Sequence, residues 1–525
     1  MRPLSNAVPS CLLSKVALEI EKLCPRSLHR GVPFALVIVA AIYTVVFLAC
    51  ATARLTFGFE LAWLESGMQA MTDRLGAHQS IYAEPSPAYV PFIYPPLYYV
   101  VAHGIAVALP SLGQFTPMRL VSLLATLATA LTVFVTLGRN PTLGLKRRAL
   151  LAALFFAFYG RFEFWHDTSR VDSLFVCLLF SATVLLIEGT GMATTIAAGC
   201  LGGLAMLTKQ PAAPLFVGAA VAVALTHWRR AMLGLSLSAA SAILGLAILG
   251  ELGNPWFYYY ILRVPTTHAI VPHMFGLSAL FLGFTMPLFL LVAGTVLYGR
   301  AKTPALAALD QPLLSSLPRR RDTNYCWALT FAIWLGVIVF LRLKEGASLN
   351  FFLPLVPVGI VVIASAFERL GNRCEPLLLV QFLILLYNPL SAIPTAADWR
   401  AGFELLGSLR QIPGDIFLPQ FPTYLAMVGK PPVAHGVAVC DLSTVRPELL
   451  HTIRAQIDEG HYAAALPWAA EGRSTDNSVP CRPQKLGFPF RLVETIPQGG
   501  SFFASSHGAQ VAGIYLFDPD SKAPR

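Results

Sequence analysis

Apolar runs of about 17–25 residues recur along most of this chain, and they constrain its fold more than any other feature. Eleven such runs lie at roughly 33–55, 117–137, 149–164, 172–188, 193–208, 211–226, 231–250, 276–298, 325–343, 351–367 and 375–391. Each is long enough, or nearly so, to cross a hydrocarbon layer about 30 Å thick as a helix. A water-exposed surface cannot be built around them. Only 13% of the 525 residues are charged and 55% are hydrophobic, whereas a soluble domain carries about 25% charged residues. That deficit excludes a soluble enzyme, a disordered chain and a disulfide scaffold. What remains is a polytopic α-helical membrane protein with about eleven transmembrane helices.

The net charge of +10 would suggest nucleic acid in a soluble protein. In a membrane protein it is first an orientation signal, because Lys and Arg concentrate in cytoplasmic loops. With residues 1–32 cytoplasmic, the inner loops collect Arg139, Lys146, Arg147, Arg148, Arg229, Arg230, Arg300, Arg319, Arg320 and Arg321, and the inner to outer ratio is about three to one. The expectation is a cell-membrane protein with a transmembrane domain over 33–391. An odd number of spans leaves 392–525 outside, as a small extracytoplasmic α/β domain. Its strands are expected at Asp415-Ile-Phe-Leu, Val437-Ala-Val and 509–517, and a helix from Thr444 to Glu459. The first apolar run ends in Ala49-Cys-Ala-Thr-Ala53, which looks like a cleavage site, but the run and its basic lead are too long for a signal peptide. Cys440 and Cys481, both outside, are candidates to pair.

Two outer loops hold unusual polar residues. The first, 56–117, contains Phe57-Gly-Phe-Glu60-Leu-Ala-Trp-Leu-Glu65 and Ile93-Tyr94-Pro-Pro-Leu-Tyr-Tyr99. Counting 96–112 as a span would turn Lys146-Arg-Arg148 outward, so both segments are expected to lie along the membrane surface as interfacial helices. The second loop runs Arg161-Phe-Glu-Phe-Trp-His166-Asp167-Thr-Ser-Arg170-Val-Asp172-Ser. Carboxylates at that depth are costly unless paired or functional, and Asp167 or Asp172 has a structural use in neutralising Arg170. Lys209, Arg342, Lys344 and Asn350 face the same side, where each alone reads as a snorkelling or structural residue. No phosphate-binding loop, dinucleotide fingerprint, nucleophile elbow or zinc spacing is present.

The ordered set of Glu60, Tyr94-Pro-Pro-Leu-Tyr-Tyr99, Arg119-Leu-Val-Ser122, Ser169-Arg-Val-Asp-Ser-Leu174, Leu207-Thr-Lys-Gln210 and Gly346-Ala-Ser-Leu-Asn-Phe-Phe-Leu-Pro354 resembles the GT-C membrane glycosyltransferases. The nearest group is glycosyltransferase family 39, which includes protein mannosyltransferases and lipid A aminoarabinose transferases. The resemblance implies a polyprenyl-phosphate sugar donor, chemistry at the outer membrane face, and a glycan, lipid or protein acceptor. It places the family's first acidic residue, usually Asp, on Glu60, with Glu65 as competitor. The second falls on Asp172, with Asp167 as runner-up. It implies no cofactor; were a divalent cation used, Glu60, Asp167, Asp172 and His166 would be its ligands.

The chemistry expected is an inverting displacement at the anomeric carbon through an oxocarbenium-like transition state. Glu60 would take the acceptor's proton. Arg170, Lys209, Arg342 and Lys344 would stabilise the departing phosphate, with Arg342 and Lys344 favoured by the Gly-containing turn that follows them. Asp172 would orient the acceptor or hold Arg170, while Tyr94, Asp167 and Asn350 complete the binding residues. Two other classes compete. A secondary transporter should carry polar residues at mid-span and paired halves, which this sequence lacks. A non-catalytic membrane scaffold would need neither Glu60 nor Asp172.

Overall fold

In the computed structural model, residues 26–301, 320–442 and 445–465 are described, together with the strand segments 468–469, 490–495, 510–511 and 513–517. The chain is mostly helical. Helix α1 (Arg26–Leu55) is followed by two short helices, α2 (Glu65–Gly76) and α3 (Leu97–Ala108). Next come α4 (Thr116–Gly138), α5 (Leu145–Ala157), α6 (Asp172–Glu188), α7 (Met192–Met206) and α8 (Ala212–Ile248). The described helical layer ends with α9 (Met274–Thr285), α10 (Pro287–Ala301), α11 (Arg320–Arg342), α12 (Leu355–Leu370) and α13 (Cys374–Ile384). Five of these helices are long and apolar enough to cross a membrane, or up to seven if each bent pair is one span. The shortfall from eleven has two sources: α5, α6 and α7 have 13, 17 and 15 residues, which at 1.5 Å each is less than the hydrocarbon thickness, and α8 is counted once although it holds two runs.

One run differs from the sequence reading. Run 276–298 is broken by a 91° bend between α9 and α10. Pro287 at the first turn of α10 supplies no amide to continue α9. Runs 211–226 and 231–250 both fall within α8, which has non-helical torsions at His227 and so keeps the two runs distinct. Packing shows that α8 folds back there. A Cβ built on Gly202 of α7 would touch both Phe216 and Ser238, and 22 residues of straight helix would hold those two about 33 Å apart. The α7–α8 seam is built from small residues: a Cβ on Gly203 would lie 2.6 Å from Ser241 and 2.7 Å from the Ser238 carbonyl. Such close approach is how helices gain van der Waals contact where lipid offers no hydrophobic contrast.

Polar residues gather at the two ends of this layer. At one end Arg148 meets Gly138, Arg147 pairs with Glu375, and Asn140 binds Glu368. Arg119 and Gly138 sit near opposite ends of the 23-residue α4, about 28 Å apart. That spacing matches a hydrocarbon core. At the Arg119 end, α2 and α3 are 12-residue helices, each about 18 Å long and too short to cross.

A second core covers that end. It joins Phe57, Leu64, Met68, Tyr98, Phe115 and Val171 to Leu405, Tyr424, Ile453 and Ala464. Its later half comes from α14 (Ala396–Gln411), α15 (Pro422–Met427), α16 (Gly436–Asp441) and α17 (Pro447–Asp458). Four strands form a sheet in the order β1 (Ile416–Phe417), β2 (Ala464–Ala465), β6 (Gly513–Phe517), β4 (Phe490–Thr495). The first pair is parallel and the others antiparallel; β3 (Trp468–Ala469) pairs with β5 (Gln510–Val511). The strand expected at Val437-Ala-Val is instead α16, because His435 caps it: Nδ1 accepts the Val437 amide at 3.2 Å. Cys481 lies outside the described residues, so the Cys440–Cys481 pairing has no structural reading here.

Candidate active site

The irregular stretch between α1 and α2 is held by one buried arginine. Arg119, in the first turns of α4, donates to the carbonyls of Arg54 (3.2 Å), Phe57 and Phe59 (2.5 Å). The same guanidinium takes Glu65 at 2.5 and 3.1 Å. Glu65 also accepts the Leu61 and Ser169 amides, each at 2.7 Å. Burial alone would raise its pKa, but Arg119 and those amides outweigh it and the carboxyl is held below its ordinary value. Every acceptor direction of Glu65 is therefore in use, and it is a structural anion rather than a base.

Glu60 is arranged differently. It is wholly buried, Oε1 accepts the Ser66 amide at 2.8 Å, and Oε2 has no hydrogen-bond partner. Burial drives its pKa well above the ordinary carboxylate value; the Ser66 hydrogen bonds pull it back, and the Glu65 charge raises it further. A carboxylate with one anchored oxygen, one idle oxygen and raised basicity suits proton abstraction.

Ser169 links this loop to a second cluster. Asp172, at the start of α6, accepts from Lys209 Nζ at 2.6 Å, Asn350 Nδ2 at 2.7 Å and Arg170 Nε at 3.2 Å. Lys209 comes from the α7–α8 turn and Asn350 from the short 3-10 turn Leu349–Phe352. All four side chains are buried. Arg170 lies over Trp165 at 3.8 Å, and Lys209 over Phe351 at 4.6 Å and Tyr94 at 5.9 Å. Two cations against one anion leave this cluster net positive, while Arg170 Nη1 and Asn350 Oδ1 have no partner. The unspent Arg170 donor beside excess positive charge suits an anionic ligand, and the Asn350 oxygen can accept from a ligand hydroxyl.

Five of the expected residues, Tyr94, Arg170, Asp172, Lys209 and Asn350, thus meet around one carboxylate. Three others do not. Asp167 pairs with Arg54 at 2.9 Å and accepts the Tyr159 hydroxyl at 2.9 Å. Arg342 donates to the Ala347 carbonyl within its own turn. Lys344 donates to the Pro265 carbonyl at 2.8 Å, 79 residues away in the chain. Among the described residues no three His, Cys, Asp or Glu side chains come together as metal ligands. His166 is enclosed by Phe47, Phe155, Tyr159 and Phe162, and burial lowers its pKa to about 3. The sequence reading names Arg119 only as part of a motif, with no site role, and passes over Arg54, although a charge within a turn of a span's end is the available signal. It had no route to Tyr424 and His435, which reach this loop from far along the chain.

Residues 94–251 match the family model described as dolichyl-phosphate-mannose-protein mannosyltransferase. No curated protein sequence matches the chain. Among solved structures, the chain is similar to ArnT from Cupriavidus metallidurans bound to undecaprenyl phosphate. That match has 13% identity and a TM-score of 0.51, and covers 93% of this chain and 99% of that one. The apo form of the same protein matches at 15% identity and TM-score 0.47, covering 79% and 73%. The fold is GT-C type, that of a multi-pass membrane protein resembling the mannosyltransferase and ArnT group.

Proposed function

We propose that this GT-C-type membrane protein transfers a sugar from a polyprenyl-phosphate donor to an acceptor hydroxyl or amine at the outer membrane face. The observation that carries the reading is Glu60, a wholly buried carboxylate with an idle oxygen, linked through Glu65 and Ser169 to the net-positive Asp172 cluster. The ArnT relative bound to undecaprenyl phosphate supports the donor class. The acceptor oxygen or nitrogen attacks the anomeric carbon while Glu60 Oε2 takes its proton. The bond from that carbon to the phosphate oxygen breaks, and its electron pair leaves with the polyprenyl phosphate. A phosphate leaving group needs positive charge rather than a proton. In this reading Arg170 and Lys209, both bonded to Asp172, take that role ahead of the Arg342 and Lys344 favoured from sequence. Attack and departure on opposite faces invert the anomeric centre.

The test is turnover by the purified protein in vesicles containing a panel of polyprenyl-phosphate hexoses and pentoses. Release of polyprenyl phosphate is expected, whereas activity confined to nucleotide sugars would refute the donor class. The same assay carries a pH prediction. A base works only when ionised, so kcat/KM should fall as pH drops through the raised pKa of Glu60. The acid limb should lie above the ordinary Glu value of about 4.3. A profile flat down to that value would contradict Glu60 as the base.

A further inference from the structure

We infer that Tyr424, from the segment beyond the last apolar helix, is a positioning residue for Glu60; the inference rests on the function proposed above. The Glu60 amide lies in irregular backbone and has no backbone partner of its own. It donates to the Tyr424 hydroxyl at 3.0 Å, and both residues are wholly buried. Arg119, from α4, already fixes the neighbouring carbonyls of Phe57 and Phe59. Tyr424, from α15, takes the amide, so the backbone carrying the base is held by two elements.

Tyr424 is itself held in place. Its ring stacks on Phe421 at 5.3 Å and meets Phe59 edge-on at 5.8 Å. Its segment is tied to the end of that loop and the start of α2 by His435 Nε2 to the Trp63 carbonyl (3.0 Å) and Thr423 Oγ1 to the Ser66 carbonyl (3.2 Å), and to the stretch between α2 and α3 by the Ala434 amide to the Pro87 carbonyl (2.7 Å). With Nδ1 accepting from Val437, Nε2 of His435 carries the proton, and burial keeps the ring neutral with a pKa near 4. The segment after residue 391 therefore completes the wall around Glu60. The charged and titratable groups facing Glu60 are Glu65, Arg119 and Tyr424.

Tyr424→Phe removes one oxygen and keeps the ring packing. It should lower kcat between about 10- and 100-fold, the scale of a small misplacement of a reacting group, with donor KM little changed. The loosened loop admits water to the Glu60 carboxylate, so the acid limb of kcat/KM should move to lower pH. Wild-type kcat with an unmoved limb would overturn the inference, as would a lower melting temperature with a normal pH profile. If Tyr424→Phe accumulates poorly, a fluorotyrosine at 424, a weaker acceptor of the same shape, should move the same limb. Glu60→Gln run in parallel separates the two levels. If that variant is fully active the proposed function fails with the inference, and if it is inactive a null Tyr424 result overturns the inference alone.

Discussion

Glu60→Gln should leave the protein folded and inserted yet reduce sugar transfer by about 10²–10⁴-fold, the usual contribution of a positioned general base. The amide can still accept the Ser66 backbone hydrogen through its oxygen, at the distance of 2.8 Å that anchors Oε1. It cannot take a proton from the acceptor. Stability should not fall, because the wild-type site buries an ionisable group with one unpartnered oxygen, and a neutral side chain removes that burden. Two measurements check this: melting temperature at or above wild type, and turnover in vesicles near background. Retained turnover would move the base elsewhere. Glu65 would be a poor substitute, since it is fully engaged by Arg119 and two backbone amides.

Arg119→Met should be the most destabilising single change in this region, at about 3–5 kcal/mol, because it strands a buried carboxylate. It removes the donors to the Arg54, Phe57 and Phe59 carbonyls as well as to Glu65. The loop between α1 and α2 would lose its fixed path, and activity should disappear with it. The check is a melting curve together with limited proteolysis at 56–66. Arg119→Met combined with Glu65→Leu should recover part of the lost stability, because no unpaired charge remains in the double variant. Equal stability of Arg119→Met and wild type would mean that the clamp contributes nothing. The two effects separate cleanly: the Glu60 change removes chemistry from an intact loop, and the Arg119 change removes the loop.

Much of this arrangement was legible from residue order because membrane helices announce themselves by apolar length, and rare charges near them stand out. Glu60, Asp172, Arg170, Lys209 and Asn350 were all visible as outward polar residues at helix ends. Their partners were not. Asp172 meets Lys209 and Asn350 across 37 and 178 residues of chain, and sequence spacing says nothing about such closures. Arg342 and Lys344 stand out in sequence because a Gly-containing turn follows them, but each donates to a carbonyl, of Ala347 and of Pro265, rather than to Asp172. The bend between α9 and α10 follows from Pro287, whose effect within an apolar run depends on neighbours that sequence does not display. The reversal of α8 at His227 agrees with Arg229 and Arg230 interrupting the apolar pattern there. The α16 helix shows the opposite failure. Val437-Ala-Val has strand propensity, and a single cap from His435 decided the conformation. The contact of Tyr424 with Glu60 spans 364 residues and carries no local signal at all.

The most direct measurement is where a polyprenyl phosphate binds. A photoreactive polyprenyl phosphate, with its reactive group beside the phosphate, would be added to the purified protein in vesicles and its crosslinks mapped by peptide mass spectrometry. The expected result is saturable labelling within 57–66, 165–175, 207–211 or 348–352, displaced by unmodified polyprenyl phosphate and weakened in Lys209→Met. Labelling that is unsaturable, or confined to the opposite end of the helices around Lys146 and Arg230, would contradict a lipid-phosphate sugar site at Glu60 and Asp172.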